Sequence, residues 1–268
     1  MTAEIERLMK DDTAGDPISG IKWARKAAGK ISLRRARNRF ERQGLPIISV
    51  DTKKREMIGL FKNPGAKWAK AAIPVNDHDF RKDAVGVAIS YGIYDPQANR
   101  GHVVVGTSRN TSQFAGDALA LWWKREGHNR YPDADRLLVL ADCGGSNGNR
   151  VAAWKFALQH KLCDAFGLRV TVAHYPPGAS KWNPIEHRLF SQISKHWAGQ
   201  PLVSFDTIVR LIRQTKTKTG LRVNCRLVKR DFPTAQKISN AQMRLLPLLP
   251  HPVLPAWNYT LAPRQTRK

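Results

Sequence analysis

Three acidic residues stand where a fold could bring their side chains together: Asp51, Asp142 and Glu186. Asp51 is the last residue of a short apolar run that starts at Pro46, and Asp142 is the last residue of a second apolar run, 136–142. Glu186 falls in the first turn of a helix predicted to begin near Asn183. Hard divalent cations prefer carboxylate oxygens, and two ions about 3.5–4 Å apart can activate an attacking oxygen and stabilise a leaving one. The pattern therefore predicts Mg²⁺-dependent phosphodiester chemistry.

Each of these carboxylates also has a purely structural explanation. Asp142 precedes the segment Cys-Gly-Gly-Ser-Asn-Gly and could simply start that turn. Asp51 could cap the turn that follows it. The run Asn183-Pro184-Ile185-Glu186 satisfies the helix-start pattern, with Asn at the N-cap, Pro at the first position and Glu at the third. Taken singly, the two explanations are equally good, but the structural one needs three separate coincidences.

The charge of the chain supports a polyanionic partner. Lys and Arg number 45 against 21 Asp and Glu, a net charge of +24 at pH 7. Basic residues concentrate in three regions, 22–42, 210–230 and the last five residues. Solvated faces that keep the protein soluble would explain one such region, whereas three favour nucleic acid. The residues expected to contact phosphates near the carboxylates are Lys53, Lys54, Lys181 and Arg188.

Several other classes of protein are disfavoured. The longest apolar stretch, Val85 to Tyr94, is far too short to cross a bilayer, and the first twelve residues lack the apolar core of a signal peptide. The three cysteines form no Cys-x-x-Cys pair, which indicates reduced thiols in the cytoplasm and no structural zinc site. We therefore expect a cytoplasmic protein without a membrane partner.

The elements that must position the carboxylates follow from periodicity. Strands are predicted over 46–51, 56–61, 85–94, 102–107, 136–142 and 169–174, and helices over 111–126, 149–166, 181–197 and 205–215. Short turns make the first strands antiparallel, with residues 52–55 as a hairpin connection, and intervening helices make the later strands parallel. This predicts an α/β fold, a mixed sheet with helices on both faces in the order of the ribonuclease-H-like fold.

Three segments together resemble a known family. They are Ser49-Val-Asp51-Thr-Lys-Lys, Ala141-Asp142-Cys-Gly-Gly-Ser-Asn-Gly, and the run from His174 to Phe190 that contains Trp-Asn-Pro-Ile-Glu186-His. They look like the DDE transposases of the ISAzo-type insertion sequences, which carry a Rhodopirellula-type transposase DDE domain. The segment 176–187 is also similar to the last acidic motif of mariner-like transposases. The resemblance covers about residues 46–260.

The resemblance implies a ribonuclease-H-like catalytic domain that cuts DNA and transfers strands. It places the catalytic triad and the ligands of two Mg²⁺ ions, with Mn²⁺ as a substitute, on Asp51, Asp142 and Glu186. The implied partners are the DNA of the transposon ends and the target, and a second copy of the chain or a full-length relative. The implied setting is the bacterial cytoplasm, in association with the nucleoid.

One departure from the family concerns the N-terminal region. Family members carry a longer helix-turn-helix region that reads the ends of the element, whereas here the first catalytic strand follows after about 45 residues. We interpret 1–45 as the remnant of an N-terminal helical DNA-binding region and 46–268 as the catalytic domain. An internal deletion of this kind would leave the triad intact and impair recognition of the ends.

Two other functions stay open from the residues alone. The run Gly144-Gly-Ser146-Asn-Gly148 matches the nucleophile elbow of a serine hydrolase, with Glu186 and His196 in suitable chain order. However, the strand ends at Asp142, four residues before Ser146, which places the serine poorly for an elbow. A non-catalytic basic nucleic-acid-binding protein is the second alternative. It would explain the charge but leave the three carboxylates without a purpose.

Overall fold

The computed structural model describes residues 20–264, except 77, 177, 180, 181 and 235, and side chains from residue 28 onward. Its strands are β1 Ile47–Thr52, β2 Glu56–Ile58, β3 Gly86–Asp95, β4 Arg100–Gly106, β5 Arg136–Ala141, β6 Arg169–His174, β7 Arg222–Val228, β8 Leu248–Pro250 and β9 Asn258–Leu261. The helices are α1 Gly20–Arg42, α2 starting with Ser112–Trp122, α3 starting with Ala152–Leu158, α4 with Glu186–Phe190 and Ser191–His196, α5 Phe205–Gln214 and α6 Asn240–Arg244.

The described strands form one sheet in the order β7-β4-β3-β1-β5-β6-β9-β8, with β2 paired to β3. The central strand β1 runs antiparallel to β3 and parallel to β5, and β5 runs parallel to β6. In the inner order β4-β3-β1-β5-β6, each of β4, β3 and β1 runs antiparallel to its neighbour in that group. On the other side, β1, β5 and β6 run parallel to one another. This is the ribonuclease-H-like arrangement, and it confirms the predicted fold class.

Helices cover both faces of the sheet because the inner strands are apolar on both sides. On the first face, α2 and α3 pack on side chains such as Ile48, Val50 and Val139 around the buried rings of Trp122 and Trp154. On the second face, α1 packs on the alternate residues of β1 and β5. Helices α4 and α5 pack beside it on β3, β4 and β7. Two apolar layers therefore fix the ends of the central strands.

Two helices change their winding partway. Helix α2 continues as a π-helical segment, Trp123–Gly127, and ends with His128–Arg130. Helix α3 continues in the same way through Gln159–Cys163 to Asp164–Phe166, where Gly167 adopts a left-handed conformation and stops it. Helix α4 itself begins with the π-helical turn Glu186–Phe190. A π-helical turn widens the helix locally and often occurs at functional sites.

The structure corrects the predicted hairpin after β1. Both β1 and β2 pair with β3, and they follow one another along it: Thr52 lies opposite Tyr91, and Glu56 lies opposite Ala88. Residues 53–55 therefore carry the chain onward instead of turning it back. The sequence reading also missed β7, β8 and β9. These strands extend the sheet at its two edges, where β7 runs parallel to β4 and β9 runs antiparallel to β6.

The helix α1 belongs physically to the second face of the sheet. Leu33 and Phe40 are buried against Ile47, Leu138 and other residues of the central strands. Residues 1–19 lie outside the described part, so the assignment of 1–45 to a separate DNA-binding remnant stays a prediction. Over residues 20–264, with the gaps given above, no helix combines the length and apolar character needed to cross a membrane.

Candidate active site

The parallel pairing of β1 and β5 brings two of the three predicted carboxylates side by side. Val50 lies opposite Ala141, so Asp51 and Asp142 are the next residues on neighbouring strands. Side chains alternate along a strand, and Ile48 and Val50 face α2 and α3. Asp51 and Asp142 therefore both point to the second face, at the carboxyl ends of their strands.

The third carboxylate reaches them from α4. Glu186 starts this helix, and its side chain is near enough to Asp51 to raise the pKa of that carboxyl. The helix can approach because Gly92, the partner of Asp51 on β3, has no side chain. A Cβ atom on Gly92 would lie 2.5 Å from the Phe190 ring and 2.9 Å from Ile185. Because Gly92 has no side chain, α4 and its first residue Glu186 can lie close to β3.

The three carboxylates interact electrostatically. The pKa of Asp51 is raised to about 8, first by burial and then by the neighbouring Asp142 and Glu186, against a backbone hydrogen bond from Thr52 that lowers it. The pKa of Asp142 is also raised, first by burial and then by Glu186, although the amide of Asn183 opposes this. Negative charge is thus costly at this point of the molecule unless a cation shares it.

Buried polar side chains fix Asp142 in place. The fully buried Asn183 donates a hydrogen bond from Nδ2 to Asp142 Oδ1 at 3.0 Å, and its own Oδ1 accepts one from Ser49 Oγ. The His174 ring donates from Nδ1 to the backbone carbonyl of Asp142 at 2.9 Å. The same Ser49 Oγ accepts a hydrogen bond from the Ile185 amide, which ties the start of α4 to β1. Sequence reasoning assigned Asn183 to a helix cap and missed this role.

An open cleft of about 790 Å³ lies in front of Asp51 and Asp142. Three exposed cations line it, Lys54, Arg55 and Arg150. Its remaining lining comes mostly from the loops after β1, β5 and β6, with Asn110 and Trp257 from elsewhere in the chain. Carboxylates at the bottom of the cleft and cations at its edge suit a phosphodiester substrate. The cations attract the phosphate groups, and the carboxylates can bind a metal ion beside the reacting bond.

The predicted phosphate contacts fall in different places. Lys54 lies on the rim, as described. The Lys53 ammonium pairs with Glu56 and lies 4.7 Å from the centre of the Trp197 ring, with the side chain only 9 % exposed. Arg188 is exposed but does not line the cleft; its charge acts on Tyr94, where it opposes the rise in pKa caused by burial. Lys181 lies outside the described residues.

The loop after β5 brings a further polar group to the cleft. Asn147 is 1 % exposed, lines the cleft, and its Nδ2 has no hydrogen-bond partner among the described residues. Its Oδ1 accepts from Ser146 Oγ at 3.1 Å. The hydroxyl of Ser146 is thus paired with an amide instead of a histidine, and the serine sits in a short 3-10 helix beyond the strand end. This arrangement lacks the base that a serine nucleophile needs.

The donor set fits a divalent metal in its chemistry. Within the described residues, no three His, Cys, Asp or Glu side chains stand in position to hold a metal ion by themselves. Mg²⁺ is usually held by one or two carboxylates, with water and substrate phosphate completing its shell. Asp51 and Asp142 supply two such carboxylates, and the raised pKa of both reflects charge that a cation would offset.

A comparison of the sequence with protein families agrees with this geometry. Residues 30–263 match the family described as the Rhodopirellula transposase DDE domain. The match covers most of the chain, and the chain belongs to this family of DDE transposases. Membership of the family implies use of a divalent metal. No curated protein shows a significant match to the chain.

Solved structures of Mos1 transposase are similar to the chain. The paired-end complex with the left transposon end shares 14 % identity at a TM-score of 0.46, over 78 % of this chain and 69 % of that one. The strand transfer complex shares 15 % identity at 0.46, over 69 % and 50 %. The paired-end complex with Mn shares 17 % at 0.42, over 69 % and 52 %. The chain thus spans half to about two thirds of these Mos1 chains.

Proposed function

We propose that this chain cuts DNA and joins the cut strand to a target, in a reaction that depends on Mg²⁺ and accepts Mn²⁺. The observation that carries the proposal is the side-by-side position of Asp51 and Asp142 on β1 and β5, with Glu186 at the start of α4 beside Asp51. The basic rim of the cleft supports a phosphodiester as the substrate. The family of the chain supports DNA transposition as the setting.

In this proposal Asp51, Asp142 and Glu186 hold the metal. Two bound ions would lower the pKa of a water or of a 3′-hydroxyl and stabilise the leaving 3′-oxygen. Asn183 keeps Asp142 in one orientation through its 3.0 Å hydrogen bond, and His174 holds the backbone of the same residue. Such outer partners of ligating carboxylates fix their geometry and tune their basicity.

The phosphate groups of the substrate would be held by the rim. Lys54, Arg55 and Arg150 offer positive charge at the mouth of the cleft. The unpaired Nδ2 of Asn147 would donate to a non-bridging phosphate oxygen, since a buried donor without a partner costs about 1–3 kcal/mol until one is supplied. Lys53 also lines the cleft, and its contacts with Glu56 and the Trp197 ring hold the segment between β1 and β2.

Nicking of supercoiled plasmid tests the proposal. We expect nicking by the wild type in Mg²⁺ or Mn²⁺, none in EDTA, and loss of nicking in Asp142→Asn with the protein still folded. The exchange removes a charged ligand and almost no volume. Nicking that continues in Asp142→Asn would refute the proposed site.

The internal deletion inferred from the sequence adds a second expectation. If recognition of the element's ends is impaired, the wild type should nick plasmids with and without such ends at the same rate. A clear preference for plasmids that carry the ends would refute the impairment. It would leave the metal-dependent reaction unaffected.

The non-catalytic alternative predicts a different result in the same assay. Under that alternative, the protein would bind DNA with strong salt dependence and leave the plasmid intact in every metal tested. The cluster of three half-buried carboxylates argues against it, because such a cluster repels phosphate unless a cation lies between them.

A further inference from the structure

A second basic surface lies at the other end of β5, far from the carboxylates. It is a groove of about 430 Å³ between α1 and the segment 249–253. Four arginines line it: Arg35 and Arg39 from α1, and Arg136 and Arg169 from the sheet. Arg136 and Arg169 are the first residues of β5 and β6 and lie opposite one another in register. Among the described residues that line the groove, none is acidic.

The floor of the groove is polar where the rest of this face is apolar. Leu138 and Leu140 of β5 pack under α1, but the neighbouring strands present Thr171, Thr260 and Asn258. Thr171 and Thr260 share a hydrogen bond of 3.0 Å, and Asn258 Oδ1 is buried with no partner among the described residues. Buried polar atoms are normally satisfied, so a floor of this kind indicates a surface shaped for a polar ligand.

Three of the four arginines have little compensating charge among the described residues. Arg39 and Arg169 have no ion-pair partner there, and Arg136 pairs with the adjacent Asp135, whose side chain is 73 % exposed, a kind of pair that contributes little. His251 lines the same groove, and its pKa is lowered by burial and by the charge of Arg39. Holding these guanidinium groups near one another costs electrostatic energy, which an anion would return.

We infer that this arginine groove binds the sugar-phosphate backbone of duplex DNA at a distance from the bond that is cut. Several guanidinium groups along one groove suit a row of phosphates better than a single one, because each phosphate needs one planar fork. The inference rests on the proposed function for the identity of the polyanion. It assigns the groove to positioning of the duplex and gives it no part in the chemistry.

The distance between the two surfaces follows from the strand. Arg136 begins β5, and Asp142 directly follows its end on the same face. Six residues at about 3.3 Å each separate their Cα atoms by about 20 Å. At about 3.4 Å per base pair, this corresponds to about six base pairs of a straight duplex. The separation along the strand is therefore short compared with the length of an ordinary duplex.

The experiment measures binding of a fluorescent 30-base-pair duplex by anisotropy in EDTA across a range of salt concentrations. We expect Arg136→Gln/Arg169→Gln to bind about 10-fold more weakly near 0.1 M salt. The slope of log K against log salt should fall by about 1–2, since each lost phosphate contact removes about 0.9. Arg136→Lys/Arg169→Lys should keep most of the slope, because the charges remain.

A matched control removes the same charge elsewhere. Arg125→Gln/Arg244→Gln changes two exposed arginines outside the groove and should alter affinity and slope much less. Equal losses in the two Gln pairs would overturn the inference, because they would reflect net charge alone. Thermal unfolding of each variant checks that the first residues of β5 and β6 still form their strands.

Plasmid nicking separates the groove from the proposed function. If the Gln pair in the groove binds as tightly as its control while nicking still depends on Asp142, the groove is wrong and the proposed function stands. If wild type binds the duplex through the groove but nicks no plasmid in any metal, the proposed function is wrong and the groove stands.

Discussion

The two ends of β5 carry opposite chemistry on one face of the sheet. At the carboxyl end, Asp142 meets Asp51 and Glu186; burial raises the pKa of Asp51 and of Asp142, and neighbouring carboxylates raise both further. At the amino end, Arg136 meets Arg169 beside further arginines, and no acid among the described residues lines the groove. Both clusters would repel themselves in isolation. Each therefore indicates a missing partner of the opposite sign, a cation at one end and a polyanion at the other.

The difference lies in how each cluster is held. The carboxylate of Asp142 is held by the buried Asn183, and its backbone carbonyl is held by the ring of His174. Arg169 and Arg39 are exposed side chains with freedom to follow a ligand. Chemistry requires a rigid site, whereas backbone binding tolerates adjustable contacts. The rigidity of the side chains, more than their charge, therefore distinguishes the proposed catalytic end of β5 from the proposed DNA-binding end.

The largest expected effect comes from a crossed pair of variants. Asp142→Asn should lower metal-dependent nicking by more than about 100-fold while DNA affinity stays equal or rises, because a repulsive charge is lost. Arg136→Gln/Arg169→Gln should do the reverse, with weaker binding and near-normal nicking at saturating protein. Asp133→Asn, a change at an exposed acid outside both surfaces, is the control for the first variant. If one variant lost both properties while folded, the two ends would not be separate functions.

A smaller effect is expected at the support of the carboxylates. Asn183→Ala removes the donor to Asp142 and the acceptor for Ser49, and should raise the Mg²⁺ concentration for half-maximal nicking by about 10–100-fold. The rate at saturating Mg²⁺ should fall less. Asn110→Ala, in the same cleft but bonded to Thr52, is the matched control. An unchanged metal requirement in Asn183→Ala would contradict a positioning role.

Packing beneath Glu186 should give a moderate effect on stability. In Gly92→Ala the new methyl group would lie 2.5 Å from the Phe190 ring, so α4 must shift and stability should fall by about 1–3 kcal/mol. Nicking should fall as well, because Glu186 moves with the helix. In Gly144→Ala, a Cβ atom would meet nothing within 4 Å, and stability should hardly change. Chemical denaturation and nicking are measured on both variants.

The smallest effect concerns an acid surrounded by donors, the opposite of Asp51. Burial raises the pKa of Glu126, but hydrogen bonds from His102 and Asn224 outweigh it and bring the pKa below the ordinary 4.5. A lowered pKa stabilises the fold above the ordinary value, and the contribution is lost as the pH falls through the folded value. Glu126→Gln should therefore be about 1 kcal/mol less stable at pH 7, with the difference vanishing near pH 3. Denaturation at several pH values measures it, and a difference that is constant with pH would contradict the assignment.

Much of the fold was predictable because its inner strands are apolar runs with clear ends. The strand 169–174 was predicted with its observed bounds, and Asp51 and Asp142 were found because a buried strand rarely ends in a carboxylate. The edge strand β7 was missed although Arg222, Asn224 and Arg226 alternate with buried residues. Its arginines were counted as part of a basic region, and this interpretation hid the period of two.

The support of the site was not predictable, because it depends on contacts between distant segments. Asn183 fits a helix cap equally well in sequence, and only the placement of β5 shows that its amide bonds to Asp142. Lys53 is predicted to contact phosphate because it follows Asp51, and it does line the cleft. Its pairing with Glu56 and the ring of Trp197 depends on α4 lying over that segment, which no local pattern indicates.

The single strand β5 acts as a ruler between the two surfaces. Arg136 and Asp142 share one covalent segment, so side-chain motion and salt leave the spacing of their backbones unchanged. One inserted residue would turn one end to the opposite face, whereas two would keep both faces and add about 7 Å, or about two base pairs. The distance between the cut and the DNA bound in the groove would then depend on the length of β5, and it could change only in steps of two residues.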